Sequence, residues 1–395
     1  MHCRAPQITT HPGITNHLTQ FYASLPFEQT KSSLRMATQP PGPSCPSTMR
    51  AWKCTSSGSS RTCLTLQSDV FLPSLPLMGS KILVKVSHAS LNPADLAFMT
   101  LFPYWLPFRR HPVLGLDFSG TVLEIGSSLP PDCEIKIGSK VAGAISHWDV
   151  GLGIGTLTEQ VVVDVGQVAL VPNNVEWLGM GQAAGAMGIA GQTAVCMVSS
   201  GAIRKGMRVL VNGASGGVGG LVVQICEGLG CDVVGICSGV NKNLVMGLGA
   251  IEVIDYKAHQ DLAGYITARF GGRQDDNIDV IMDCTGSQEL YANSPKYLKP
   301  DGKFINIVGG WSQGVVPFVR NKLRPVILGG VPRDYILFLL SANGLLSKQV
   351  AEYLENGIIK KVPIDSEFGM EQAVEAYEKL ATGRAKGKII VKMAS

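Results

Sequence analysis

Leu210 to Gly220 reads LVNGASGGVGG. An apolar run beginning at Arg208 enters a knot of glycines, and Gly213, Gly216 and Gly219 keep the spacing G-x-x-G-x-x-G. Beyond them, apolar residues at 218, 221, 222, 225, 226 and 229 follow helical spacing. Strand, glycine turn and helix in that order suit a dinucleotide's pyrophosphate. The turn is tight, the backbone can approach closely, and the helix N-terminus offers free N–H groups and a favourable dipole.

The same rhythm continues downstream. VVGICS at 233–238, a helix near Lys242 to Gly247, IEVIDY at 251–256, DVIMDCTG at 279–286 and KFINIVGG at 303–310 alternate strand-like and helical character. Such alternation predicts βαβ units on a parallel, doubly wound sheet. Upstream, from Met49 to about Pro172, short β-like runs (KILVKVSHASL, GTVLEIG, KVAGAIS, LTEQVVVDV) are split by Gly, Pro and Asn, which reads as a β-rich module. After helices expected near Lys348–Asn356 and Glu371–Thr382, the closing run KGKIIVKM has no evident partner in a completed parallel sheet. It is therefore expected to return to the first module.

Composition fits this plan. At 395 residues the chain exceeds one usual core and predicts two domains. The net charge of +4 is small, and Arg4, Lys31 and Arg35 against Glu28 supply +2 of it from the first 48 residues. A near-neutral body gives no reason to expect nucleic acid or an anionic membrane as partner. Ten cysteines without a C-x-x-C pair suggest neither a disulfide framework nor an oxidising compartment. Leu178 to Ile203 carries no charge, and Gly181 to Gly185 spells G-x-x-x-G, yet glutamines, serines and glycines dilute its hydrophobicity, so a buried helix is expected rather than a membrane span. Met1 to Thr48, with seven prolines, reads as a disordered or dispensable extension, or as a start placed too early with Met36 or Met49 as the true one. Cytoplasmic location is expected, or mitochondrial if that extension is a transit peptide.

The end of the second strand bears on the cofactor. An acid that would hold a free ribose 2′-hydroxyl is absent from Gly235 to Ser238, whereas Ser238 and Lys242 suit a 2′-phosphate. NADPH is expected over NADH.

Several motifs in order, MRAW at 49–52, SLNPAD at 90–95, HPVLGLDFSGTVLEIG at 111–126, GQTAVCMV at 191–198, VLVNGASGGVG at 209–219, GLGAIEVIDY at 247–256 and GRAKGKIIVKM at 383–393, resemble the medium-chain dehydrogenase/reductase superfamily, in its zinc-free quinone oxidoreductase (zeta-crystallin-like) branch. The resemblance implies an α/β protein with a GroES-like β-rich catalytic domain (49–185, completed by 336–395) around a Rossmann domain (186–335), and an active site between them. It implies Asn92 at the substrate end and Thr193 near the nicotinamide. It also implies cofactor contacts from Gly213, Ser215, Gly216, Gly217, Val218, Gly219, Ser238, Lys242, Tyr256, Thr285, Val308 and Lys388. The aromatic loop LFPYWLPFRRHP adds Tyr104 and Trp105 as candidate covers for a flat apolar substrate, with His147 and Trp148 as further residues that sequence does not place.

Where metal-dependent relatives carry cysteine and histidine, this chain has Asn92 and Leu116, neither a good zinc ligand, and the four-cysteine structural lobe is missing. No metal is expected. The implied activity is hydride transfer from NADPH to a quinone or α,β-unsaturated carbonyl. A pathway-specific enoyl reductase of secondary metabolism and a non-catalytic NADPH-binding scaffold are the alternatives. A homodimer is expected, with the strand KFINIVGG as the edge that forms its seam.

Overall fold

The computed structural model describes residues 48–101, 112–272, 277–308, 316–337 and 340–393. The extension before Thr48, and Tyr104 and Trp105 in the aromatic loop, lie outside them.

Alternating, β-branched segments of the first module build an antiparallel-rich sheet. Its spatial order is Ile364–Gly369, Lys388–Lys392, Lys81–Ser90, Asp117–Ile125, Lys140–Ala144 and Val168–Leu170, and Gln160–Asp164 also pairs with Lys81–Ser90. The closing strand returns here as expected: Ile390 and Val391 pair with Ser90 and Ala89. A separate hairpin of Thr48–Cys54 and Leu64–Phe71 is tied to the returning segment by Trp52, whose Nε1 donates to the Met370 carbonyl at 2.7 Å. Sixty or so residues at the C-terminus thus finish a structure begun at residue 48.

The middle of the chain forms a six-stranded parallel sheet in the order Glu252–Asp255, Asp232–Cys237, Arg208–Asn212, Ile278–Asp283, Leu298–Asn306, Asp334–Leu337. The order reverses between Arg208–Asn212 and Ile278–Asp283. In open parallel sheets ligands settle in the crevice outside the carboxyl ends at such a switch point, and the glycine turn lies there.

One expectation is corrected and another refined. The strand within KFINIVGG is interior, flanked by Ile278–Asp283 and by Asp334–Leu337. The edge is the latter, a four-residue strand too short and too closely flanked by Arg333 and Pro332 to stand out as a sixth repeat. The uncharged stretch is two helices, Met180–Met187 and Ile189–Gly201, broken at Gly188. A Cβ at Gly188 would overlap the carboxyl group of Asp117, so the break admits that side chain to the start of the second helix. Both helices are largely buried, and among the described residues no helix is long and apolar enough to cross a membrane.

Candidate active site

The glycine turn is built as its residues require. Gly213 has φ +80°, a region that favours glycine, and its N–H and that of Ala214 donate to the Ile236 carbonyl, each at 3.1 Å. A Cβ on Gly219 would overlap the Gly213 carbonyl, so helix and strand can pack this closely only with glycine there. Gly216 begins helix Gly217–Gly228 with no side-chain cap, which leaves first-turn N–H groups of a twelve-residue helix facing the crevice. Asn241 donates its Nδ2 to Ser215 Oγ at 3.0 Å, while its Oδ1 is buried without a partner. An uncapped helix start, a glycine cradle and an orphaned buried acceptor beside them fit a dinucleotide.

At the neighbouring strand end, Ser238 is half-buried, Lys242 exposed, and Tyr256 exposed with the Lys257 ammonium 5.9 Å from its ring centre. Sequence reasoning missed Asp255. It ends the next strand in register with Cys237, and its carboxylate closes on Gly239, where a Cβ would overlap it. An acid therefore does border the loop that carries Ser238 and Lys242. It comes from the third strand, beyond the window about twenty residues past the glycines.

Thr285 and Val308 sit past the carboxyl ends of the two strands beyond the switch point. Thr285 Oγ1 accepts from Asn212 Nδ2 at 2.6 Å and donates to Asp283 Oδ1 at 3.0 Å. The Val308 N–H donates to Asn306 Oδ1 at 2.7 Å.

Around Asn92 lies a buried polar network. Asn92 donates from Nδ2 to Asp117 Oδ2 at 2.8 Å and to the Ser90 carbonyl at 3.3 Å, and from its backbone N–H to Asp95 Oδ2 at 2.8 Å. Lys388 reaches in from the returning strand, and its Nζ donates to Asn92 Oδ1 at 2.6 Å, the Leu91 carbonyl at 3.0 Å and Asp117 Oδ2 at 3.3 Å. The other oxygen of Asp117 accepts from the Ile189 N–H at 2.7 Å, which anchors the helix carrying Thr193 one turn later. Asp117 is fully enclosed and Lys388 is only 5% exposed. The stem of Lys388 passes under the glycine turn, where a Cβ on Gly217 would lie 2.7 Å from its Cδ, and Gly387 bridges Gly216. One carboxylate and one ammonium thus join Asn92, Thr193's helix and the glycine turn.

Burial pushes Asp117 above the usual carboxylate range, opposed by the Lys388 ammonium and the hydrogen bonds it accepts. Asp95 is pushed up to about 7, chiefly by burial, and its Oδ1 has no partner. His147 starts a short helix after strand Lys140–Ala144, and its ring stacks on Phe98 with centroids 6.1 Å apart. Burial pushes its imidazole below its ordinary pKa, with Asp117 pulling the other way. Trp148 points outward, 75% exposed. Neither Asp117 nor Asp95 stood out in the sequence as a site residue. Their signal was a charged residue inside an otherwise apolar run, LGLDFSG and LNPADL.

Two family models match: an alcohol dehydrogenase GroES-like domain at residues 79–173 and a zinc-binding dehydrogenase domain at residues 248–391. Among curated relatives, a medium-chain reductase, pydE, of an Acremonium species is 36% identical over 371 residues, spanning 88% of this chain and 99% of the relative. A trans-enoyl reductase, poxH, of Penicillium oxalicum is 31% identical over 383 residues, spanning 88% and 98%. The quinone oxidoreductase of Coxiella burnetii has the same fold, with TM-score 0.71 at 24% identity over 88% of this chain and all of that one. The second family model's description names zinc, and the donor set here does not fit it. Leu116 is a buried apolar side chain, Asn92 is committed to the network, and Lys388 holds an ammonium against Asp117. Among the described residues no three His, Cys, Asp or Glu side chains gather into a metal-binding group.

Proposed function

From the medium-chain dehydrogenase/reductase superfamily, to which this chain belongs with kinship to the quinone oxidoreductase branch, we propose an NADPH-dependent reductase of quinones or α,β-unsaturated carbonyls that works without zinc. The observation that carries this reading is the Lys388–Asp117–Asn92 network, which puts a buried ammonium, amide and carboxylate beside the phosphate turn. Oxidising an alcohol needs a group that takes its proton and steadies the alkoxide, the task of the metal in zinc dehydrogenases. The network's own charges are already paired with each other. A conjugated acceptor asks less, because charge spreads over the conjugated system and hydrogen bonds suffice.

When bound, NADPH supplies the hydride. In our reading Gly213, Ser215, Gly216, Gly217, Val218 and Gly219 hold its pyrophosphate, and Ser238, Lys242 and Tyr256 take the adenosine end. Thr285 and Val308 line its path, and Thr193 bounds the nicotinamide. Lys388 and Asn92 act as positioning residues, since the Asn92 amide donates to Asp117 and Ser90 and the Lys388 ammonium to Leu91, Asn92 and Asp117. The names of the trans-enoyl reductases among the relatives favour the enone over the quinone within this class. A homodimer through the edge strand Asp334–Leu337 completes the proposal, and light scattering of the purified chain tests it.

Initial rates of nicotinamide oxidation test the activity, with NADPH and NADH each paired with a panel of quinones and enones. The reading requires turnover, with higher kcat/KM for NADPH and for enones. Tight NADPH binding with no turnover across the panel would favour a scaffold instead.

A further inference from the structure

The proposed reaction sends negative charge to the acceptor's carbonyl oxygen, and the buried network has no donor left for it. Both amide hydrogens of Asn92 are engaged, by Asp117 and Ser90, and the three hydrogens of Lys388 go to Leu91, Asn92 and Asp117. A different group must meet that oxygen if a side chain does so at all.

His147 stands at the same corner. Strand Lys140–Ala144 places Ala144 opposite Asp117, and the Ile145 N–H donates to the Leu116 carbonyl at 3.0 Å, so His147 emerges just past Leu116. Its ring rests on Phe98, on the helix that begins directly after Asn92, with the planes 26° apart. It lies within electrostatic reach of Asp117. Asp149, the acid on its own helix, is occupied by Gln167 Nε2 at 2.6 Å and by Ser146. Among the described residues neither nitrogen of His147 has a hydrogen-bond partner, although the ring is half-buried. Neither nitrogen is shut away from solvent, so the ring can present an N–H to a ligand at this corner.

We propose that His147 donates a hydrogen bond to the carbonyl oxygen of the substrate. The assignment rests on the reductase reading and deepens it. Burial favours the neutral ring, which still carries one N–H donor, and a neutral imidazole that polarises a carbonyl is established chemistry. In the step served, hydride from NADPH forms a C–H bond at the β-carbon and the π electrons move to the carbonyl oxygen as an enolate. The His147 N–H stabilises that oxygen, and water returns a proton to the α-carbon. NADPH is oxidised and the acceptor reduced by the same two electrons.

The test uses full-length protein and 2-cyclohexen-1-one as the probe. His147→Phe keeps a ring against Phe98 and removes the donor, and His147→Gln restores a donor on a different frame. Loss of one oxyanion donor predicts a fall in kcat of about a hundredfold or more for His147→Phe, with the Kd of NADPH unchanged and partial recovery in His147→Gln. A kcat for His147→Phe within about threefold of wild type overturns the assignment. If that variant does not fold by circular dichroism, His147→Ala takes its place in the comparison with His147→Gln. A readout without turnover is the imidazole nitrogen NMR signal of His147, assigned by its loss in the variants. It should move on titration with 2-cyclohexen-1-one, and a signal unmoved up to the probe's solubility limit overturns the proposal. A wild-type protein that reduces no acceptor, yet moves this signal, would instead defeat the reductase reading alone.

Discussion

Lys388→Met isolates the ion pair at the centre of the site. Methionine keeps an unbranched stem against Gly217 and removes the ammonium, which leaves Asp117 buried without a countercharge, held only by Asn92 Nδ2 and the Ile189 N–H, and leaves Asn92 Oδ1 and the Leu91 carbonyl without their donor. Breaking one partner of a buried pair costs about 3–5 kcal/mol, and the two orphaned acceptors keep the expectation at the upper part of that range. The loss should depend on pH in a definite sense. Asp117 already sits above the usual carboxylate range, and without the ammonium it rises further. A group whose folded pKa is raised loses its stabilising contribution as pH rises through that value, so the variant should be weaker at pH 8 than at pH 5. Asp117→Asn added to Lys388→Met removes the stranded charge and should restore more than half of the loss. Urea unfolding of the full chain, followed by circular dichroism at both pH values, measures each quantity. A single-variant loss under about 1 kcal/mol at pH 8, with no pH dependence, would refute the reasoning.

Asp95 offers a second pH signature. Unfolded, it ionises near 4; folded, at about 7, so its contribution falls as pH climbs through that window, by up to about 4 kcal/mol. Asp95→Asn should flatten the stability profile there, and parallel urea curves for variant and wild type would contradict this. Gly219→Ala puts a methyl group into the Gly213 carbonyl and should weaken NADPH binding by more than about tenfold, read by fluorescence titration. Lys242→Ala should raise the Kd of NADPH several-fold more than that of NADH, and Asp255→Asn should shift the ratio the other way. Equal changes for both cofactors would remove these residues from the 2′-phosphate site.

The parallel sheet was legible because each βαβ unit announces itself locally, by an apolar run, a glycine turn and a 3.6-residue period. The return of KGKIIVKM was legible by elimination. The break at Gly188 was not, because its cause is a contact with Asp117, seventy residues away in sequence. The same holds for the edge strand, whose four residues acquire meaning only beside Leu298–Asn306, and for Asp255, which borders the loop of Ser238 and Lys242 through parallel register. At the site, sequence pointed to Asn92 and Lys388 as separate residues. Their hydrogen bond, with the donors of both consumed, is a property of the folded structure.

Protein freed of metal by chelation, verified by elemental analysis, and then assayed for NADPH-dependent reduction of 2-cyclohexen-1-one tests whether the reaction proceeds without zinc. Zinc-free hydride transfer requires kcat/KM equal to that of untreated protein, with no gain on adding zinc. Activity lost on chelation and restored by zinc would contradict it.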